Sequence, residues 1–316
     1  MIVTLTANPS LDRAIALDAP LQPGSVQSAL VSREDAGGKG INVARAVQAA
    51  GVDAVAVLPL AADDPFGAAL LATRVRSRTV PITGHARANL TITDPDGVTT
   101  KLNLPGASLS EADADALVAA VVEASEGARW LVLAGSLPPG VGDDFYVAVI
   151  RAVRARWGSS APLIAVDTSG EALRAVVEHG HPDLIKPNDD ELAELTGTAF
   201  DPEEDLGRAV LGVARRLVPE CVGAALVTLG ARGSVLVTPD EGYIAPAPVI
   251  RVRSTVGAGD SSLAGYLLAD VAGEQAPDRL LSAIRYGSAA AALPGTQPPR
   301  PSDLPDVDLR VAALHA

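Results

Sequence analysis

Ser254-Thr255-Val256-Gly257-Ala258-Gly259-Asp260-Ser261-Ser262-Leu263-Ala264-Gly265 runs from a polar, small-residue turn straight into an Ala/Leu-rich helical pattern. Gly257, Ala258 and Gly259 have almost no side chain, so a ligand can approach their N–H groups. A first helical turn leaves those groups unpaired and slightly positive, which suits an anion. Asp260 is the odd residue there. A first-turn carboxylate is ordinarily a cap or dipole-complementing group. Beside a held phosphoryl group, the same carboxylate is poised to take a proton from an incoming hydroxyl. The stretch lacks the Gly-Lys-Ser/Thr ending of a P-loop, and no strand with a ribose-binding acid follows as a dinucleotide fold requires.

At 316 residues and 48% hydrophobic content, the chain can bury a large core, and it reads as one α/β domain over 1–316 with an appendage. A single cysteine, Cys221, excludes a disulfide framework. The start Met1-Ile2-Val3-Thr4-Leu5-Thr6 has no basic n-region, and charged, Gly and Pro residues interrupt every apolar segment, so the expectation is a cytoplasmic protein with no membrane partner. A net charge of −13 and 3% aromatic residues oppose nucleic-acid binding. Anionic ligands then require locally concentrated cations. Lys39, Lys101 and Lys186 are the only lysines among 25 basic residues, and all three lie in or beside candidate motifs.

Ile2 to Thr6 reads as a buried first strand emptying into Ala7-Asn8-Pro9-Ser10, with Asp12 just beyond, either a turn residue or an acceptor for ligand hydroxyls. Segments 13–18 and 25–33 read as short, open strands leading into Ala36-Gly37-Gly38-Lys39-Gly40-Ile41-Asn42. There, three glycines around a lysine open a helix that stops at Gly51, with Lys39 and Asn42 at its mouth, placed for ligand contact. Val55 to Leu60 is a core strand and 62–78 is weakly helical. Arg87 to Thr93 and Val98 to Leu104 flank an Asp-Gly turn and read as a hairpin. With the early strands it makes a small second sheet, a lid of about 12–35 and 87–104. Its inner face offers Arg87 as an anion fork and Asn89 as a hydroxyl reader.

From Ser110 onward helices alternate with the strands Trp130 to Ala134, Leu163 to Asp167 and Leu184 to Lys186. That βαβ series implies a parallel sheet with its site at the strands' carboxyl ends. Gly135-Ser136-Leu137-Pro138, Asp167-Thr168-Ser169-Gly170 and Lys186-Pro187-Asn188 fall at such ends. Asn188 and Glu191 are three apart at a helix start, either two oxygen ligands for a hydrated magnesium ion or an ordinary N-cap box, and on the residues alone the box is the stronger reading. Ala224 to Leu229 ends in Gly230-Ala231-Arg232-Gly233, whose glycines let backbone approach a nucleotide. The segments 234–238 and 242–245 form an edge hairpin. A last helix, from about Asp278 to Leu293, is placed to close one side of an adenine pocket.

Together these motifs resemble the ribokinase-like sugar kinases of the PfkB family, over nearly the whole chain. Residues 254–265 fit the family's second signature at every position, and Gly37 to Asn42 fit the core of the first. The resemblance implies a ribokinase-like, doubly wound, mostly parallel sheet flanked by helices, with a small β-sheet lid. It implies phosphoryl transfer from ATP, with Mg²⁺, to the C6 hydroxyl of fructose 1-phosphate. Matching positions imply Asp260 as base, Gly257, Ala258 and Gly259 as anion hole, and Asn188 with Glu191 as the magnesium-orienting pair, which reverses the cap-box reading. Asp12, Gly37, Gly38, Lys39, Asn42, Arg87, Asn89 and Ser136 would hold the sugar phosphate. Lys186, Asn188, Thr228, Gly230, Gly233 and Ser254 would line the ATP side. The chain departs from the family at Ala61, where the first signature usually ends in Gly, and at Thr91 and Leu104, where relatives acting on fructose 1-phosphate often carry Lys and an acid. The lid departures keep tagatose 6-phosphate and fructose 6-phosphate open as acceptors. A catalytically silent sugar-phosphate sensor is the alternative from another class, and the intact Gly257-to-Asp260 stretch argues against it. The open edges and apolar face of the lid sheet imply a homodimer through the lid.

Overall fold

The computed structural model describes residues 1–201 and 205–314. The chain opens with β1 (Ile2–Leu5), then β2 (Ser10–Leu17), β3 (Ala29–Gly37) and α1 (Lys39–Ala49). Next come β4 (Ala54–Leu60), α2 (Phe66–Thr73), β5 (Ser77–Pro81), β6 (Arg87–Thr93) and β7 (Thr99–Asn103). The middle alternates α3 (Glu111–Ala124), β8 (Trp130–Ala134), α4 (Phe145–Trp157), β9 (Leu163–Asp167), α5 (Gly170–His179), β10 (Leu184–Ile185) and α6 (Asp189–Thr196). The end comprises α7 (Leu206–Ala214), β11 (Ala225–Thr228), β12 (Ser234–Val237), β13 (Gly242–Ala245), α8 (Ala258–Val271), α9 (Ala276–Ala292) and β14 (Ala312–Leu314).

Ten strands form one sheet in the order β14-β13-β12-β11-β10-β9-β8-β1-β4-β5. Neighbours from β11 to β5 are parallel, while β12, β13 and β14 add an antiparallel edge. The chain leaves β1 for β4 on one side and returns to β8 on the other, so the order reverses at β1. In a doubly wound sheet the crevice at such a reversal is where ligands bind. Alternate residues of β1 face opposite layers: Val3 and Leu5 join one core with Leu131, Leu133 and Ile164, and Ile2 joins the other with Val132, Leu263 and Leu267. Burial on both faces makes these strands continuous apolar runs, which is why β8 and β9 are legible in the sequence.

The second sheet has the order β3-β2-β6-β7, with β2 antiparallel to β3 and parallel to β6, and β6 antiparallel to β7. Its strands reach further than the sequence suggests. β2 begins at Ser10 and β3 runs to Gly37, so Asp12 and Gly37 are strand residues rather than loop residues. The reading of 62–78 as weak helix needs correction. The helix ends at Thr73, Arg74 turns left-handed at φ 59°, and Ser77–Pro81 pairs with β4 as a parallel edge strand. Only Val80 of that strand is buried, so it carries almost no period-2 signal. Two further elements, α7 and β14, lie outside the expected set. β14 is three residues that the open edge of β13 recruits. Among the described residues no helix is long and apolar enough to cross a membrane.

Candidate active site

The carboxyl ends of β1, β8, β9 and β10 meet the N-termini of α1 and α8 beside the strand-order reversal at β1. Both helices start on glycine. Gly38 caps α1 at φ 127°, and Gly257 caps α8 at φ 77°, backbone that a residue with a Cβ rarely adopts. Gly40 presses α1 onto β1, because a Cβ there would come within 2.7 Å of the Leu5 carbonyl oxygen.

Asp260 lies in the first turn of α8 and is buried. Asn42, one turn into α1, donates from Nδ2 to Asp260 Oδ2 at 2.8 Å, tying the two helix starts together. Burial, then the charge of Asp167, pushes the Asp260 carboxyl up to about 6, against the Asn42 hydrogen bond and the charges of Lys39 and Lys186. A carboxylate with that affinity for a proton is matched to general-base work near neutral pH. Of the three small residues before it, the N–H of Ala258 reaches the Thr255 carbonyl at 3.3 Å, and Ser261 N–H closes the first helical bond to Gly257. The first-turn amides of Gly259 and Asp260 have no intrahelical acceptor available to them.

Two lysines meet beside Asp260. Lys39 Nζ is 2.7 Å from Asp167 Oδ1, and Lys186 Nζ is 3.2 Å from Asp167 Oδ2. Burial opposes the Lys39 charge, yet Asp167, aided by Asp260 and Glu191, outweighs it and holds the ammonium above its ordinary value. Burial likewise opposes the Asp167 charge, and Lys186 and Lys39 overcome it to keep that carboxyl below its ordinary range. In the sequence Asp167 falls at a strand end with nothing to mark it as a site residue except that an acid closes the apolar run Leu163-Ile164-Ala165-Val166. The third lysine, Lys101, lies exposed on β7.

On the lid, Asp12 faces Asn89 and Ser10 faces Arg87 across the β2–β6 pairing. Asp12 Oδ1 accepts from Ser10 Oγ at 2.9 Å and from Asn89 Nδ2 at 2.8 Å. Burial raises the Asp12 carboxyl, with these hydrogen bonds and Arg87 pulling against it. Gly37 is required beside it, since a Cβ there would overlap the Asp12 carboxylate. Asn89 Oδ1 and Asn42 Oδ1 are buried without a partner, two acceptors suited to ligand hydroxyls. Arg87 Nε donates to the Asn8 carbonyl at 3.4 Å, and Asn8 Nδ2 donates to Ser136 Oγ at 3.2 Å. Asn8, absent from the sequence-derived site, therefore links the lid to the end of β8. The Gly37-Gly38-Lys39 turn joins this lid cluster to the Asp260 cluster.

On the other side, Asn188 forms a parallel bridge with Thr228. Asn188 Oδ1 accepts from Glu191 N–H at 2.7 Å and Glu191 Oε2 accepts from Asn188 N–H at 2.9 Å, a reciprocal capping box. The plain cap reading is thus correct as local structure. It does not exhaust the pair, since the Glu191 charge also helps to hold the Lys39 ammonium. An all-oxygen pair with few protein ligands fits Mg²⁺, which keeps several waters. Gly230, at φ 57°, has open space around it, whereas Gly233, at φ 106°, packs where a Cβ would overlap the Ala245 carbonyl, so Gly233 shapes the turn rather than opening it. Ser254 Oγ accepts from Val256 N–H at 3.3 Å and braces the approach to Gly257.

Residues 8–303 match the family described as pfkB family carbohydrate kinase. The chain is 37% identical to a 1-phosphofructokinase of Haloferax volcanii over 97% of this chain and 95% of that one. It is 32% identical to the ATP-dependent 6-phosphofructokinase isozyme 2 of Escherichia coli over 94% of each. Its fold superposes on a crystal structure of phosphofructokinase-2 from Escherichia coli in complex with potassium with a TM-score of 0.85, at 31% identity over 96% of both chains.

Proposed function

The chain belongs to the pfkB family of carbohydrate kinases, and from that premise we propose that it transfers the γ-phosphoryl group of ATP to the C6 hydroxyl of fructose 1-phosphate, giving fructose 1,6-bisphosphate. The observation that carries the reaction type is Asp260, a buried carboxylate raised to about 6, held by Asn42 at the amide-lined start of α8. Asp260 accepts the C6 hydroxyl proton as that oxygen bonds to the γ-phosphorus and the bond to the β-phosphate oxygen breaks, releasing ADP. The amides of Gly257, Gly259 and Asp260 face the charge on the transferring group, a donor arrangement whose loss typically costs ~3 kcal/mol of barrier. Asp12, Asn89 and Asn42 orient the sugar through its hydroxyls, and Arg87 offers a cation to its standing phosphate. Asn188 and Glu191 would hold Mg²⁺ through its waters, which when bound neutralises phosphate charge. Thr228, Gly230 and Ser254 line the ATP side.

The 37% identity to a 1-phosphofructokinase supports fructose 1-phosphate as acceptor. Thr91 and Leu104 on the lid, and the 32% identity to a 6-phosphofructokinase, favour fructose 6-phosphate as the second reading. ADP release with MgATP against fructose 1-phosphate, fructose 6-phosphate, tagatose 6-phosphate, fructose and ribose separates them. The highest kcat/KM belongs to fructose 1-phosphate on the first reading. Preference for a 6-phosphate keeps the mechanism and moves the anion site, and ATP consumption with no sugar-dependent product rejects both.

A further inference from the structure

Lys39 and Lys186 come from different elements to one carboxylate. Asp167 has a side chain with 0% exposure, Lys186 one with 5% and Lys39 one with 35%, so two ammoniums share a single interior anion at 2.7 and 3.2 Å. Surplus buried charge is costly unless another ion balances it. Asp260 carries the balancing charge and interacts with both lysines, although its burial and the charge of Asp167 outweigh that attraction and leave its ionised form costly. The four groups are neutral as a set while Asp260 is ionised. When Asp260 takes the hydroxyl proton, the set becomes positive by one charge, at the moment when negative charge spreads over the transferring phosphoryl oxygens. Lys186 also stands against the first turn of α8, since a Cβ on Gly259 would lie 3.3 Å from its Nζ. Among the described residues nothing comparable ties Lys39 to the lid, where Asp12, Asn89 and Arg87 form their own cluster.

We propose that Asp167 is a positioning residue that holds Lys39 and Lys186 together as a two-ammonium clamp on the transferring phosphoryl group. Lys39 then serves the chemical step rather than the standing phosphate of the sugar, which is left to Arg87. The inference rests on the kinase reading above.

Steady-state kinetics of Lys39→Met, Asp167→Asn and the double variant, with MgATP and the preferred ketohexose phosphate, test it. Lys39→Met is expected to lower kcat by about 10²-fold, with KM for the sugar phosphate changed by less than about threefold. Asp167→Asn is expected to lower kcat at least as far, and the double variant to be no slower than Asp167→Asn alone, because that residue acts through the lysines. A Lys39→Met variant with intact kcat and a KM raised by about tenfold or more overturns the clamp. So does a double variant whose losses multiply. If Asp167→Asn does not fold, Lys39→Met decides alone, and Lys39→Arg is expected to recover part of kcat. Failure of the unsubstituted protein to phosphorylate any ketohexose phosphate overturns the kinase reading and the clamp with it, whereas turnover with the KM pattern overturns the clamp only.

Discussion

Asp260, the proposed base, is ionised at a cost in stability. Its folded-state pKa of about 6 exceeds the ordinary 3.8, so the folded protein binds this proton more tightly than the unfolded chain does. The ionised carboxylate therefore costs stability above about pH 6, and that cost fades as pH falls toward 4. Asp260→Asn should melt higher than the unsubstituted protein at pH 8, with the gap closed at pH 4. Its kcat should fall by about 10³-fold, within the usual range for losing a general base. In the unsubstituted protein, kcat/KM should drop below about pH 6 as the base is protonated. A melting gap that persists at pH 4 would show that burial of the charge is not its cause. Asp260 was legible in the sequence because its meaning is local, an acid one residue past Gly-Ala-Gly at a helix start. Asp167 was not, since its partner Lys39 lies 128 residues away in the chain.

The turn between β3 and α1 shows how an element is aimed by what it lacks. Gly38 combines φ 127° with a space in which a Cβ would meet Thr6 Cγ2 at 2.6 Å. Gly38→Ala should cost roughly 1–3 kcal/mol from backbone strain, plus the clash, and should displace Lys39 and Asn42. Gly24→Ala is the control: φ is 82° but the space is open, so strain alone acts. Chemical denaturation compares the two, and equal losses would argue against the Thr6 contact as a constraint. The glycines and the helix start were readable here. That β3 continues to Gly37 was not, because its exposed face offers no apolar alternation. The Asn188–Glu191 box shows the converse: a sequence pattern predicts a cap correctly, while only the fold lets the Glu191 charge act on Lys39.

The whole molecule leaves a four-stranded lid with β3 and β7 as open edges and Leu30, Val31 and Leu102 exposed on it. Such a surface is expected to pair with a second copy of the chain, giving a mass of twice 32.1 kDa in solution. Light scattering at micromolar concentration tests this, with Leu30→Asp together with Val31→Asp expected to give the monomer, and a monomeric unsubstituted protein rejecting it. The alternation of apolar runs with amphipathic helices, and the glycines at two helix starts, point by themselves to a parallel sheet with its site at the strands' carboxyl ends and to Asp260 as the proposed base, because each depends on residues near one another in the chain. The edge strand at Ser77–Pro81, the terminal strand at Ala312–Leu314 and the Asp167 pairing with two lysines were decided only by tertiary structure. Short, polar or isolated segments carry too little burial to declare themselves, and an ion pair has no signal until the sheet brings its partners to the same end.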